Sequence, residues 1–163
     1  MIKISKSGFL TLNRVKYKCS FGKNGFTKNK LEGDLKTPVG IFKFLNCYYR
    51  SDRTLKPLTN VPCIKIKKDM GWCDDPLSKD YNKPIILPSK FTHEKLYRKD
   101  NIYDIFLVIN YNINPIKKFL GSAIFLHIAK YNYKPTKGCV SISKKNLIYL
   151  LKNINTDTKI KIG

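Results

Sequence analysis

Alanine is almost missing from this chain: Ala123 and Ala129 are the only two in 163 residues. Acidic residues are scarce as well, 11 Asp and Glu against 32 Lys and Arg, which leaves a formal charge of +21. Arginine is also rare, with only Arg14, Arg50, Arg53 and Arg98 among the cations. That shortage argues against nucleic acid as the partner, because Arg is the side chain that forks onto phosphates and base edges. With Ile, Asn, Tyr and Phe plentiful, part of the lysine excess reads as the codon drift of an A+T-rich genome. The remainder suits a polyanionic partner such as a cell-wall polymer, and charge of this kind reports on association rather than fold.

Long apolar runs are absent too. Nothing approaches the ~20 residues of a membrane span, and the longest stretches, Ile105–Ile109 and Ala123–Leu126, have strand length. The first twenty residues carry Lys and Arg throughout and no apolar leader core, so no signal peptide is visible. No repeat or Pro/Gly/Ser linker divides the sequence, and its length suits one domain over 1–163. The five cysteines, Cys19, Cys47, Cys63, Cys73 and Cys139, are odd in number, and none lies in a C-x-x-C or zinc-spaced cluster. A fully paired disulfide scaffold is thereby excluded, no zinc-type spacing points to a metal, and at least one thiol is free.

What is present is a β pattern. With 42% hydrophobic and 12% aromatic residues the chain can bury a core. Strand-like runs cover Ile2–Ser5, Phe9–Cys19, Gly40–Tyr49, Cys63–Lys67, Ile85–Leu87, Tyr103–Asn110, Ser122–Ile128, Cys139–Ile142 and Lys159–Ile162, separated by Gly, Pro and Asn-Pro turn signals. One segment reads as helix: Ser143 as N-cap, then Leu147, Leu150, Leu151 and Ile154 at helical spacing. A shorter second helix is expected over Thr92–Arg98. The expected fold is mainly β, a sandwich or barrel-like domain with one or two short helices, one of them after Cys139.

The segment Gly121–Ser143, G-S-A-I-F-L-H-I-A-K-Y-N-Y-K-P-T-K-G-C-V-S-I-S, carries the chemistry. A strand delivers His127, a loop with Pro135 follows, and Gly138-Cys139 opens the next strand twelve positions on. That separation lets the chain turn back and bring imidazole beside thiol. A cysteine needs a neighbouring base or cation to become thiolate at neutral pH, and histidine is the usual one. Gly138 permits close backbone approach to a substrate, and the Cys139 amide is a candidate donor to a developing oxyanion. His93, the only other histidine, sits among Lys and Glu and reads as a surface residue. Cys19, Cys47, Cys63 and Cys73 read as small structural residues.

These residues resemble a known family, the L,D-transpeptidase catalytic domain of YkuD type. Its signature, a His followed by S/T-x-G-C and a hydrophobic residue, is matched by His127 and Thr136-Lys137-Gly138-Cys139-Val140. Gly33-Asp34-x-Lys36-Thr37-Pro38-x-Gly40-x-Phe42 is similar to another family motif. Trp72-Cys73-Asp74-Asp75-Pro76 with Tyr81-Asn82, and Gly121-Ser122-Ala123-Ile124-Phe125, resemble a proteobacterial branch. The resemblance is strongest over 31–163. It implies Cys139 as nucleophile and His127 as its base, with a backbone carbonyl holding the His tautomer. It implies no cofactor and no metal. The partners it implies are peptidoglycan stem peptides, as acyl donor and amine acceptor, handled by a monomer in the cell envelope or periplasm, with a cytoplasmic location as the alternative that the missing leader leaves open. Gly138, Lys137, Ser122, Ser141, Trp72, Asp74 and Asp75 are the candidate oxyanion and substrate contacts. Many members have His where this chain has Lys137, and Arg or Asn where it has Ser141, so Lys137 is expected to attract carboxylate and favour the thiolate.

Transfer to an amine builds crosslinks and serves cell-wall biogenesis and cell shape. Water as acceptor would make the same site a carboxypeptidase or endopeptidase. A third reading, from another class, is a basic module that binds an anionic polymer without chemistry; its binding would fall steeply with salt and survive loss of Cys139.

Overall fold

The computed structural model describes every residue from Met1 to Gly163. In chain order the strands are β1 (Ile2–Ser5), β2 (Phe9–Leu12), β3 (Val15–Ser20), β4 (Phe26–Thr27), β5 (Thr37–Pro38), β6 (Gly40–Tyr49), β7 (Cys63–Lys65), β8 (Met70–Cys73), β9 (Pro84–Ile86), β10 (His93–Lys95), β11 (Ile105–Ile109), β12 (Phe125–Ile128) and β13 (Val140–Ile142). The helix α1 (Lys144–Lys152) and the last strand, β14 (Lys159–Ile162), complete the fold. Nine strands form one sheet in the order β11-β12-β13-β3-β2-β1-β14-β6-β7, and β11 also pairs with β6. That extra pairing closes eight of the strands into a ring, with β7 attached outside it. The architecture is mainly β and barrel-like. A three-stranded sheet, β10-β8-β9, and the short parallel pair β4–β5 are separate from the ring.

Alternation along the strands sorts side chains into two cores. Leu126, Ile128, Val140 and Ile142 face the larger one, where they meet Ile2, Ile4, Ile160, Ile162 and the Leu147, Leu150 and Leu151 stripe of α1. Phe106, Val108 and Phe125 face the other way into a smaller, mostly aromatic core with Tyr48, Trp72, Leu96 and Tyr103. β11 is buried on both faces, which is why its sequence is an unbroken apolar run. Tyr48 stacks flat on Phe106 with ring centroids 4.9 Å apart, and Phe106 leans on Phe125 at 4.6 Å. This aromatic layer is the floor under the strand that carries His127.

Several expectations need correction. The long run Phe9–Cys19 is two strands, because Asn13 and Arg14 both take positive φ (49° and 67°) and make a two-residue hairpin turn between Leu12 and Val15. The run Ser122–Ile128 becomes extended only at Phe125, since Gly121 and Ala123 adopt positive φ and kink the chain. The segment Thr92–Arg98 is not a helix. Its residues His93–Lys95 pair antiparallel with Gly71–Cys73, and Leu96 is buried in the aromatic core. A helix that short is marginal alone, and strand pairing satisfies the same backbone groups while burying Leu96.

The helix after Cys139 forms as expected. The Ser143 hydroxyl accepts a hydrogen bond from the Asn146 N–H, and the leucine stripe packs inward. Ser143→Ala should lose about 1 kcal/mol of stability, and Leu150→Ala about 2–5 kcal/mol with a cavity left behind. Both are read from urea unfolding; equal midpoints for wild type and Leu150→Ala would contradict this packing.

Candidate active site

Parallel pairing of β12 with β13 sets Leu126 beside Val140, His127 beside Ser141 and Ile128 beside Ile142. Because side chains alternate, the set that includes His127 and Ser141 points away from the larger core, and Cys139, two residues before Ser141, joins it. All three line one cavity of about 520 Å³, together with Lys30, Glu32, Asp74, Glu94, Arg98, Tyr103, Ser122, Lys137 and Gly138. His127 is buried, whereas Cys139 is partly exposed.

The sulfur is held by the kinked segment before β12. The Cys139 thiol donates to the Ala123 carbonyl (3.1 Å), and the Phe125 N–H donates to Sγ (3.4 Å). Ala123 reaches this position through a left-handed φ of 51°. Its N–H donates to Asn82 Oδ1 at 3.0 Å, which also accepts the Trp72 indole N–H at 3.0 Å. The Asn82 amide in turn donates to the Tyr111 and Asn112 carbonyls. Trp72 therefore lies in the aromatic core instead of walling the cavity, and it acts by fixing Asn82.

The turn before Cys139 is braced from two sides. The Thr136 hydroxyl donates to the Cys139 carbonyl (2.6 Å) and accepts from the Gly138 N–H (3.1 Å). The buried Thr37 hydroxyl donates to the Gly138 carbonyl at 2.8 Å. Gly138 has φ of 144°, and a Cβ there would sit 3.0 Å from the Lys36 carbonyl oxygen, so only glycine fits comfortably. The Cys139 N–H makes no hydrogen bond within the protein.

His127 Nδ1 lies 2.9 Å from the Ile128 carbonyl oxygen. A carbonyl only accepts, so Nδ1 carries the proton and Nε2 keeps its lone pair. Tyr103 packs edge-on against the imidazole, centroids 5.4 Å apart at 81°. Burial, with Lys130 and Arg98 nearby, lowers the His127 pKa to about 4, against the Ile128 hydrogen bond that favours the cation. Burial, with the Glu94 charge, pushes the Cys139 thiol up to about 12, opposed by the Phe125 N–H and, less strongly, by the Lys30 charge. The pair therefore rests as neutral thiol and neutral imidazole.

The remaining expected residues divide. Ser141 is fully buried beside Ser20; the Ser20 hydroxyl donates to the Lys134 carbonyl, so the Ser141 hydroxyl donates to Ser20 Oγ (2.6 Å). Ser122 donates to Glu32 Oε2 (2.7 Å), which also accepts from the Tyr81 hydroxyl. Lys137 is exposed at the cavity edge. Asp74 lines the cavity, and its Oδ1 is buried without a hydrogen-bond partner. Asp75 is not part of the cavity: it accepts the Leu77 and Thr92 N–H groups and shapes the turn, as Asx residues do. Lys30, Glu32, Glu94, Arg98 and Tyr103 were not anticipated from sequence. The nearest signal was that Lys30 and Glu32 immediately precede Gly33-Asp34.

The sequence profile of the YkuD family, described as the L,D-transpeptidase catalytic domain, matches residues 2–162. The chain belongs to this family. Among solved structures, the crystal structure of Mycobacterium tuberculosis L,D-transpeptidase 1 is similar at 14% identity and a TM-score of 0.45. The match covers 99% of this YkuD-family chain and 57% of that one, so the chain spans little more than half of that protein's length. Among curated proteins no sequence relative is found.

Two measurements test the geometry. Because the folded-state pKa of His127 lies below its ordinary 6.5, the folded protein binds fewer protons there than the unfolded chain. The resulting stability is present above pH 6.5 and is lost as pH falls through about 4, by on the order of 3 kcal/mol. The difference in unfolding free energy between wild type and His127→Gln should shrink over that window; a difference independent of pH would contradict a buried neutral imidazole. Asn82→Ala leaves the Trp72 and Ala123 N–H groups without acceptors and should lose about 2–4 kcal/mol in denaturant unfolding.

Proposed function

We propose that this protein is a cysteine acyltransferase of peptidoglycan, an L,D-transpeptidase acting at the cell envelope on stem peptides. The observation that carries the reading is the convergence of Cys139 Sγ and the His127 imidazole in one cavity, with Nδ1 occupied by the Ile128 carbonyl and the Cys139 N–H unspent. Family membership supports it. No helix is long and apolar enough to cross a membrane.

In this reading the substrate displaces the thiol from the Ala123 carbonyl, and the S–H proton passes to His127 Nε2. The Sγ electron pair attacks the stem carbonyl carbon, a C–S bond forms, and the carbonyl π pair moves onto oxygen. The Cys139 N–H donates to that oxyanion. Collapse breaks the C–N bond, and the imidazolium proton goes to the departing amine, leaving a thioester and a neutral His127. An acceptor amine then attacks the thioester, again with His127 as base, and the second collapse releases Cys139. Asp74 Oδ1, lacking any partner, suits the incoming ammonium group before it loses its proton. Ser122 holds Glu32 in the same wall, while Gly138, Ser141 and Lys137 border the acyl-donor side.

Purified protein incubated with disaccharide-tetrapeptides should yield crosslinked dimers, identified by mass spectrometry. Shortened stems without dimers would instead assign the carboxypeptidase, cleavage of crosslinked dimers the endopeptidase, and unchanged muropeptides the binding module. Cys139→Ala should abolish turnover with the fold intact, and His127→Ala should slow it on the order of 10²–10⁴-fold. Full activity in Cys139→Ala would overturn the mechanism.

A further inference from the structure

The expected cation beside the thiol was Lys137, but that side chain is exposed, where a single charge is worth little. A different lysine is built into the wall. Lys30 is 5% exposed, yet it lines the cavity. Its Nζ donates to the Leu31 carbonyl (2.8 Å) and to Asp34 Oδ1. An ammonium has three N–H groups, so one is left without an acceptor in the protein. The methylene stem runs between the two glycines of the site: Lys30 Cγ lies 2.8 Å from where a Cβ on Gly121 would be, and Cε lies 3.8 Å from the same position on Gly138. A side chain on Gly121 would collide with the stem.

The ion pair is oriented. Lys30 borders the cavity and Asp34 does not. The Asp34 carboxylate is held from behind by the Leu31 and Lys36 N–H groups. Although burial opposes it, these hydrogen bonds and the Lys30 ammonium keep Asp34 below its usual pKa, so the pair stays charged. The positive end of a desolvated dipole thus borders the cavity that holds Cys139, with the Lys30 stem against the Gly138 turn.

We propose that Lys30 is a positioning residue of this site: a fixed, buried ammonium that favours negative charge at Cys139 and draws a carboxylate-bearing substrate to the Gly138 side of the sulfur. The inference deepens the acyltransferase reading and rests on it for its biological meaning. The field it describes is measurable without peptidoglycan.

The test compares alkylation of Cys139 by anionic iodoacetate and neutral iodoacetamide at one pH, with peptide mapping and Cys139→Ala as the blank. Reagents of similar size report access equally, whereas their rate ratio reports local potential. Lys30→Met keeps the stem and removes the charge; it should lower the iodoacetate-to-iodoacetamide ratio about three- to tenfold, as for one charge acting over about 6 Å at an effective dielectric of about 50, between protein and bulk water, in a cavity open to solvent. Lys30→Arg should hold the ratio within about twofold, and so should Lys161→Gln, whose exposed charge on β14 lies outside the cavity. If Lys30→Met does not fold, Lys30→Gln, which removes the same charge but keeps amide donors for Asp34 and the Leu31 carbonyl, replaces it with the same expectation. An unchanged ratio, with both reagents slowed alike or only the melting temperature moved, would make Lys30 a purely structural brace and overturn the inference. A ratio that falls as expected in a protein that forms no peptidoglycan product would overturn the acyltransferase reading and leave the cation assigned.

Discussion

The register of β12 against β13 is the constraint on which the rest of the site depends. Parallel strands pair at fixed spacing, so once Leu126 and Ile128 are committed to the larger core opposite Val140 and Ile142, His127 and Ser141 must face the other way. Slipping one strand by a single residue would bury His127 in the aliphatic core or turn Cys139 away from it. The leucine stripe of α1 closes the larger core directly after β13 and locks that choice. The helix following the cysteine therefore serves chemistry indirectly, through strand register.

Around that pair the chain builds a second layer that speaks only through the first. Trp72 holds Asn82, Asn82 holds Ala123, and Ala123 presents its carbonyl to the thiol. Thr37 holds the Gly138 carbonyl, and Thr136 clamps both ends of the same turn. The result is a thiol that accepts one N–H, donates one S–H and rests neutral. Such a resting state protects the sulfur from adventitious oxidation, since the thiolate is the reactive form.

How much of this was legible in the sequence follows from which forces are local. Alternation and end signals located β1, β6, β14 and α1 within a residue or so, because one buried face or a capping Ser143 writes itself into a short window. The Cys139–His127 pair was legible because its residue types are chemically distinctive and close in sequence. Long-range hydrogen bonding was not. Thr92–Arg98 looked helical until β8 supplied pairing partners 20 to 24 residues earlier, with Cys73 opposite His93 and Gly71 opposite Lys95. Lys30 looked like one of 28 lysines; only the fold brings it against Gly121 and Gly138. Trp72 and Asp75 were marked for the cavity because their motif is dense, and packing gave them structural work instead. Asp74, between them, is the one that reaches it.

The account stands or falls on a covalent bond to one sulfur of five. A strained acyl donor of the carbapenem class should open on Cys139 and leave an adduct of its full mass, seen by intact-protein mass spectrometry and mapped by proteolysis. The adduct should be absent from Cys139→Ala and form slowly in His127→Ala. No adduct on the wild-type protein, or one mapping to Cys19, Cys47, Cys63 or Cys73, would contradict the assignment of Cys139 as the nucleophile.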